Sequence, residues 1–257
     1  NNGNTLNAGL HAFTLPPVTS VAYLFLNCPV FNQTIVFGDT ALLANVVSMC
    51  EGATLFNNGA VGNVGGIDID FGGASNILFA DAIFTSCTSF NQTVTFGNTN
   101  TITGMSLMFF GCSIFNNGDI TNANSKPLTW NLAALQSTRN MFYGCIAFNQ
   151  ALNFANTNTI INMSGMLNGC NLFKQNVVSA WVVTACGNFS NFYSGDLNDP
   201  DSATNQDNYD ALLSAWSLQP LLFGLTLDMG SSKYSAATVA DRAILTGTYG
   251  WTINDGG

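Results

Sequence analysis

Side chains able to carry acid–base or nucleophilic chemistry are scarce in this chain. His11 is the one histidine and Glu51 the one glutamate. A Ser–His or Cys–His nucleophile would have to use His11, which lies in an irregular N-terminal stretch. Paired-carboxylate catalysis would fall to aspartates such as Asp68 and Asp70, which alternate on one face of a predicted strand and which we expect to be solvated. These residue types predict a protein that is not an enzyme and that uses no cofactor.

The seven cysteines favour a packing role over a chemical one. A small apolar residue, Ala53, replaces Cys at one of the places where it recurs, and no Cys-x-x-Cys pair exists to build a zinc site. We expect free, buried thiols and no metal site. A disulfide between neighbouring cysteines stays open as an alternative. The cysteines are Cys28, Cys50, Cys87, Cys112, Cys145, Cys170 and Cys186.

Five aspartates lie close together between residues 196 and 210. Closely spaced oxygen ligands can hold Ca²⁺, yet the run lacks the Asp-x-Asx-x-Asx-Gly order of an EF-hand loop. We therefore expect a plain acidic linker. The five are Asp196, Asp199, Asp201, Asp207 and Asp210.

Composition and charge narrow the classes of partner. Five lysines and arginines stand against fourteen aspartates and glutamates, and the formal net charge is -9. Nucleic acid and anionic membranes require clustered cations, so we expect neither as a partner. No apolar run approaches the roughly 20 residues of a membrane-spanning helix, so we expect no membrane insertion. Polarity comes instead from Asn, Thr, Ser and Gln, which is typical of secreted, cell-surface and virion-surface proteins.

One short motif recurs six times and predicts the architecture. Phe is followed by two amide residues, or by Lys-Gln in the last copy, and successive copies are 25, 34, 25, 33 and 25 residues apart. A repeat with a basic period of 25 residues, lengthened in two copies, indicates a solenoid. The copies begin at Phe31, Phe56, Phe90, Phe115, Phe148 and Phe173.

The copy that begins at Phe90 shows the predicted unit most clearly. Apolar and polar residues alternate from residue 90 to residue 96, which predicts a half-buried strand. Apolar residues then follow at a spacing that suits a short helical or 3₁₀ turn facing the same core. With a weak first coil ending at Cys28 and a weak last coil near residues 181–195, we count about seven coils. The inward positions of the turn are Ile102, Met105, Met108 and Phe109.

Two copies are longer by eight or nine residues. The insertions, near residues 59–66 and 120–127, both follow the Phe-Asn-Asn form of the motif. They would leave the solenoid at the same edge, two coils apart. We expect tolerated surface loops, and a local binding feature is the alternative.

The repeat resembles a known family. Residues 105–112 and 140–150 together read Asn-Met-x-x-Met-Phe-x-Gly-Cys-x-x-Phe-Asn-Gln. This pattern resembles the bacterial surface-protein repeat of lipoproteins and large surface proteins, a relative of BspA-like leucine-rich repeats, over roughly residues 18–195. Residues 208–257 look like the C-terminal module that often closes such arrays. The resemblance implies a leucine-rich-repeat-like, right-handed α/β solenoid on a cell or virion surface, and adhesion or partner binding.

The C-terminal part is predicted to close the stack. Residues 210–217 have the pattern of an amphipathic helix, with Tyr209, Leu212, Leu213 and Trp216 on one face. A strand at residues 225–227, a helix capped by Ser235 and a last strand at residues 251–253 complete a small α+β cap. The predicted division is a repeat region at 1–195, an acidic linker at 196–207 and a capping module at 208–257.

The outward face of the strands is the candidate ligand-binding surface. If Phe90 and its neighbours in the pattern point inward, the intervening amides and hydroxyls point outward as an uncharged ladder. The alternative is that the asparagines face inward and bond to turn backbones, because buried amides need partners. The candidate residues are Asn32, Thr34, Asn57, Asn91, Thr93, Thr95, Asn116, Asn149 and Asn153.

Two functions of different classes follow from this surface. The first is adhesion or attachment to a protein or glycan on a cell surface. The second is a structural role, as an assembly or decoration subunit that contacts neighbouring subunits in a coat or fibre. Hydrolysis of polysaccharide would need neighbouring outward carboxylates, which the strand faces almost lack, and ice binding by the Thr and Asn array is a remote alternative.

Overall fold

The computed structural model describes residues 12–60, 66–72, 76–121, 124–175, 181–197 and 207–257 of the 257-residue chain. The predictions that concern His11, Asp199 and Asp201, and parts of both insertions and of the acidic linker, lie outside these residues.

Between residues 34 and 155, short parallel strands recur at the place in the repeat that the alternating pattern predicts. The strands are β1 (Ala12–Leu15), β2 (Thr34–Phe37), β3 (Ile69–Asp70), β4 (Val94–Thr95), β5 (Leu128–Asn131), β6 (Leu152–Ala155), β7 (Phe189–Tyr193), β8 (Thr226–Met229) and β9 (Thr252–Asn254). They pair as β1–β2, β3–β4 and β5–β6, and β7, β8 and β9 form a three-stranded sheet. All pairs are parallel. A parallel pair needs a long connection to bring the chain back to the same edge, and the remainder of the repeat supplies it.

The helical or 3₁₀ turn predicted in each repeat is wrong, because that part of the chain forms an arc of consecutive turns. In one arc, the N–H of Met49 donates to the carbonyl of Val46, while the N–H of Cys50 donates to Ile83 in the next repeat. Ser48, which lies between Val46 and Met49, has a left-handed backbone conformation, with φ 50°. A helix requires consecutive right-handed residues, bonded to i−4 in an α-helix and to i−3 in a 3₁₀ helix. The left-handed residue and the alternation of bonds within and between repeats exclude both.

The arcs of successive repeats lie in one parallel register. The N–H groups of each arc donate to carbonyls of the next, as Leu107 does to Arg139 at 2.9 Å. This pairing is also present at the β2–β3 and β4–β5 junctions, where the strands themselves do not pair. Parallel bridges join Ser20, Asn45, Phe79, Gly104, Ser137 and Asn162 in that order.

Side-chain caps open most of these arcs. Asn45 accepts the N–H two residues further on, that of Val47, at 3.1 Å. Gly104 has no side chain to do so, and Asp81 of the preceding repeat takes its place: its Oδ1 accepts the N–H of Ser106 at 2.8 Å. A Cβ atom at Gly104 would collide with this carboxylate. The missing cap and its replacement are therefore a matched pair on neighbouring repeats.

Stacked aromatic rings fill the interior between the strands and the arcs. The rings of the motif phenylalanines lie 5.7 to 5.9 Å apart, with planes within 12° of parallel. A second row of rings comes from the strand side, as Trp130 and Phe154 show at 5.6 Å. The predicted inward positions Ile102, Met105 and Met108 are fully buried, which confirms the predicted core.

The C-terminal elements match their prediction closely. Helix α1 (Asp207–Ser217) buries all four apolar residues of its predicted face, and the Ser235 side chain accepts the N–H of Ala237 at the start of the next helical segment. The rings of Trp216 and Trp251 lie 5.0 and 5.6 Å from Phe189 in the last repeat, so the module covers its apolar layer. The other helical elements are 3₁₀ turns Thr157–Thr159 and Ala236–Thr238, helix α2 (Val239–Ala243) and a π-helical turn, Ile244–Thr248.

The fold is therefore a repeat-like α/β fold of small parallel strand pairs with few helices. The exact boundaries of the three predicted regions remain predictions.

Candidate functional site

The asparagines predicted to face outward form a buried ladder instead. Oδ1 of Asn57 accepts the N–H of Asn91 at 2.8 Å, and Oδ1 of Asn91 accepts that of Asn116 at 2.8 Å. The ladder ends where Lys174 donates its N–H to Asn149. In the turn that follows each motif phenylalanine, backbone N–H groups point inward. A buried N–H group must find an acceptor, and the Asn side chain of the preceding copy supplies it. The outward orientation is therefore wrong, and the inward alternative confirmed, for Asn32, Asn57, Asn91, Asn116 and Asn149.

Of the remaining candidate residues, two are buried or partly buried and two are exposed. Thr34 is buried, and Thr93 is partly buried, with Oγ1 accepting from the ammonium of Lys126 at 3.0 Å. Thr95 and Asn153 are exposed, and their side chains make no hydrogen bond to any described residue.

An exposed row therefore runs across the outer face of the strands. Strand register places Asp70 beside Thr95 and Thr129 beside Asn153, and all four side chains are exposed. We call this set the strand row. Its members, in chain order, are Thr14, Val36, Asp70, Thr95, Thr129 and Asn153.

Two clefts interrupt the strand row. Strands β2 and β3 do not pair, and neither do β4 and β5. Both junctions follow the Phe-Asn-Asn form of the motif, where an insertion delays the next strand. The β2–β3 cleft has a volume of about 250 Å³ and the β4–β5 cleft about 200 Å³.

The second asparagine of the Phe-Asn-Asn motif bridges each cleft. Oδ1 of Asn58 accepts the N–H of Ile35 on β2 at 2.6 Å, and its Nδ2 donates to the carbonyl of Ile67 next to β3 at 2.7 Å. Asn117 does the same between Val94 and Lys126, at 3.2 and 2.8 Å. One amide side chain thus replaces the missing strand pairing at the bottom of each cleft.

Glutamine takes a different role in the Phe-Asn-Gln form. Nε2 of Gln92 donates to Oδ1 of Asn57 at 2.9 Å, and Gln150 donates to Asn116 at 3.0 Å. Gln92 and Gln150 therefore reinforce the ladder, and the strand after each of them pairs directly with its neighbour, whereas the buried amide of Gln33 makes no hydrogen bond to a described residue. The third residue of the motif therefore distinguishes paired junctions, where it is Gln, from the two open ones, where it is Asn.

Main-chain groups of the strands point into both clefts. Peptide groups of a parallel strand alternate between its two neighbours. Ile69 and Phe71 donate their N–H groups to β4, at 2.8 and 2.9 Å, so the peptide group of Asp70 between them points into the β2–β3 cleft. On β5, the N–H of Leu128 donates to the carbonyl of Ala151 on the β6 side. By the same alternation, the peptide group of the next residue, Thr129, points into the β4–β5 cleft.

The buried cysteines are unsuited to nucleophilic or metal chemistry. All seven thiols are free and six are buried, which confirms the prediction except at the exposed Cys28. Sγ of Cys112 donates to the carbonyl of Phe84 in the preceding repeat at 2.9 Å. Burial raises the pKa of Cys112 well above its usual range and that of Cys186 to about 11. A thiol that stays protonated is a poor nucleophile and a poor ligand.

The described aspartates have structural partners. Oδ1 of Asp210 accepts the N–H of Ser235 and the hydroxyl of Thr238, at 2.9 and 2.7 Å, and so holds the C-terminal 3₁₀ turn. Asp68 and Asp70 are exposed, as expected. Within the described ranges no three His, Cys, Asp or Glu side chains are grouped so that they could hold a metal ion.

Asp119, which the sequence analysis did not single out, fixes the second insertion. Its carboxylate accepts hydrogen bonds from the N–H and hydroxyl groups of Thr121 and of Ser125, and from Nε2 of Gln150. Burial opposes ionisation, but the donors on Ser125 and Thr121 outweigh it and hold the pKa of Asp119 well below its usual range. The Asp-x-Thr turn at the start of the insertion was the available signal.

No helix in the part of the chain that the structure describes has both the length and the apolar character needed to cross a bilayer.

One family model matches most of the chain. Its description is "Mycoplasma protein of unknown function, DUF285", and the matched residues are 1–63, 66–181 and 118–215. The overlapping matches agree with the internal repeat. The search of curated proteins and the search of solved structures found no match.

Proposed function

The chain belongs to the DUF285 family, and from this premise we propose that it is a non-enzymatic extracellular repeat protein that attaches to a partner through its strand row. The partner is a protein or glycan on a cell surface, and the protein itself acts at a cell or virion surface. The scarcity of charge and the abundance of Asn and Thr support this placement.

The finer architecture belongs to the same proposal. We take the stacked repeats to be a right-handed solenoid of about seven coils, related to BspA-like leucine-rich repeats and closed by the C-terminal module. The parallel register of the arcs and the stacked rings support a continuous stack. A stack of this kind offers an extended, regular surface, on which binding is spread over several repeats.

One observation carries the functional proposal. Thr95, Thr129 and Asn153 are exposed, and their side chains make no hydrogen bond to the described residues, whereas the asparagines beside them are buried in the ladder. The ladder asparagines hydrogen-bond to the backbone, whereas the side chains of Thr95, Thr129 and Asn153 do not and can therefore contact a partner. Uncharged hydroxyl and amide groups suit a glycan or a polar protein surface.

A substituted strand row tests the proposal. The variant Thr95→Arg/Thr129→Glu/Asn153→Arg blocks the row, and its last two changes put opposite charges across the β5–β6 register, which is favourable. The control Asn100→Arg/Gln136→Glu/Asn171→Arg makes the same charge changes at exposed positions outside the strands. On an array of neutral glycans and immobilised cell-surface glycoproteins, wild type and control should bind alike, and the row variant at least tenfold more weakly. Equal binding by the row variant would refute the proposal.

Assembly into a coat or fibre is the second candidate function. Exposed apolar side chains on the first described arc support it, since Tyr23 and Val30 are 59% and 58% exposed. Light scattering coupled to size-exclusion chromatography should then give a wild-type mass above 27.2 kDa that Tyr23→Ser/Val30→Ser returns to the monomer. A monomeric wild type at high concentration would remove this candidate.

A further inference from the structure

We propose that the β2–β3 cleft binds the side chain of a lysine that a partner protein presents in an extended segment. This inference rests on the proposal that the strand face is a binding surface, and it assigns the chemistry of one place on that face.

Two oriented carboxylates line the cleft. Asp68 and Asp70 flank Ile69, so they project from the same face of the strand. Oδ1 of Asp68 accepts the N–H of Thr93 at 3.1 Å, and Oδ1 of Asp70 accepts that of Gly72 at 2.9 Å. Oδ2 of each accepts no hydrogen bond from a described residue, and no described Lys or Arg pairs with either. The cleft therefore holds negative charge in place without an internal cation.

The remaining walls are apolar. Val36 and Ile67 are 37% and 51% exposed, and Phe37 completes the lining. A lysine side chain matches this combination, because its four-carbon stem packs on apolar surface and its ammonium donates to oxygen. A small inorganic cation would gain nothing from Val36 and Ile67.

Open peptide groups favour a lysine that is part of an extended chain. The peptide group of Asp70 points into the cleft from β3. The N–H of Ile35 on β2 also points to this side, where Asn58 accepts it, so by the same alternation the peptide group of Phe37, two residues further along β2, points into the cleft. Main-chain donors and acceptors of this kind bind extended peptides.

The second cleft provides an internal comparison. It has the same bridging asparagine, but Pro127 and Thr129 stand where the first cleft has Asp68 and Asp70, and Lys126 stands in place of Ile67. The architecture therefore forms without the two aspartates. Their presence in one cleft alone is a property of the surface, not a requirement of folding.

The test is a titration with a defined probe. The probe is acetyl-Gly-Thr-Lys-Thr-Gly-amide, followed by ¹H–¹⁵N NMR of the full chain. The wild type should show shifts at residues of β2 and β3. Affinity should fall at least tenfold for Asp68→Asn/Asp70→Asn, and at least tenfold when the probe carries N-acetyl-lysine. Asn keeps the Oδ1 acceptor, so the bonds to Thr93 and Gly72 persist and folding is preserved.

A transfer of the site gives an independent readout. Thr95→Val/Lys126→Ile/Pro127→Asp/Thr129→Asp, in which Thr95 is the counterpart of Val36, should create a second set of shifts around β4 and β5 with the same probe. Free n-butylamine should bind the wild type at least fivefold more weakly than the peptide. The inference is overturned if the double Asn variant binds the probe as the wild type does, if the transferred site does not bind it, or if n-butylamine binds as tightly as the peptide.

The outcomes separate this inference from the proposed function. The pair Thr129→Glu/Asn153→Arg alone, without Thr95→Arg beside Asp70, leaves the charge and the walls of the β2–β3 cleft unchanged, so it should still bind the lysine peptide. If array binding depends on the strand row and the peptide does not bind, only the lysine inference fails. If the peptide binds and the row variant behaves as wild type on the arrays, only the attachment proposal fails.

Discussion

Thr138 is a polar residue at a place in the repeat where other copies are apolar. Val46, Met105 and Met163 hold the same place elsewhere and are buried. Thr138 is fully buried too, and its Oγ1 has no hydrogen-bond partner. A buried hydroxyl without a partner costs about 1–3 kcal/mol, so this residue is a local weakness of the core.

Replacing this hydroxyl by a methyl group should stabilise the protein. Thr138→Val should raise the free energy of unfolding by about 1 kcal/mol and the melting temperature by about 2–4 °C. Thr138→Ser keeps the hydroxyl and loses the methyl group, so it should melt below wild type. Both are measured by thermal and urea unfolding. A Val variant less stable than wild type would mean that the hydroxyl has a partner.

Asp119 gives a prediction about pH. Its folded-state pKa is lowered, so its contribution is fully present above the unfolded value of about 4 and is lost as pH falls below that value. Asp119→Asn should lower the free energy of unfolding by about 2 kcal/mol at pH 7, because the donors on Thr121 and Ser125 lose their charged acceptor.

The measurement is urea unfolding of wild type and Asp119→Asn between pH 7 and pH 3. The difference in free energy of unfolding between the two proteins should stay constant down to about pH 5 and shrink below about pH 4. A difference that is unchanged at pH 3 would show that the ionised carboxylate is not what holds the insertion.

Among the structural elements, the asparagine ladder differs most from the preferred prediction, which placed these side chains on the outer face and kept the inward orientation as the alternative. The alternating pattern correctly put Phe90, Val94 and Phe96 inside. It was extended to Asn91, which lies in the turn before the strand begins at Val94, where strict alternation does not apply. Only backbone geometry reveals that the turn amides face inward and require Oδ1 as their acceptor.

The arcs were missed for a related reason. Apolar spacing alone cannot distinguish a helix from a series of turns that buries the same residues. Gly111 and Gly144 have positive φ and are the recognisable turn signal. Leu107 is also left-handed, with φ 61°, although nothing about leucine predicts it. The pairing with the next repeat, which is a tertiary interaction, imposes that conformation.

Removing one asparagine of the ladder should destabilise two repeats at once. Oδ1 of Asn91 accepts the N–H groups of Asn116 and Gly118, at 2.8 and 2.9 Å. Asn91→Ala leaves the buried N–H of Asn116 and the part-buried N–H of Gly118 without an acceptor, so we expect a loss of about 2–4 kcal/mol in unfolding free energy. Asn153→Ala, at an exposed position, should change it by less than about 0.5 kcal/mol. Similar small effects for the two variants would contradict the structural role of the ladder.

At the scale of the whole molecule, the period of the motif already indicated a stack, and the C-terminal helix, its buried face and the Ser235 cap were predicted in detail. The sequence did not reveal that stacking is continuous along the arcs and interrupted along the strands. That difference arises because arc pairing uses backbone groups at every junction, whereas an insertion between motif and strand moves two strands out of pairing. The clefts are the result.

The ordered stack is the central claim, and distances along the strand row test it most directly. Nitroxide labels on Thr14→Cys, paired in turn with Thr95→Cys, Thr129→Cys and Asn153→Cys, are placed in a Cys28→Ser background, because the other thiols are buried. Paired strands lie ~4.8 Å apart and the two clefts can only widen the row, so electron–electron double resonance should give backbone separations of at least about 14, 19 and 24 Å, increasing in that order. Separations that do not increase with the number of intervening strands would contradict the stack.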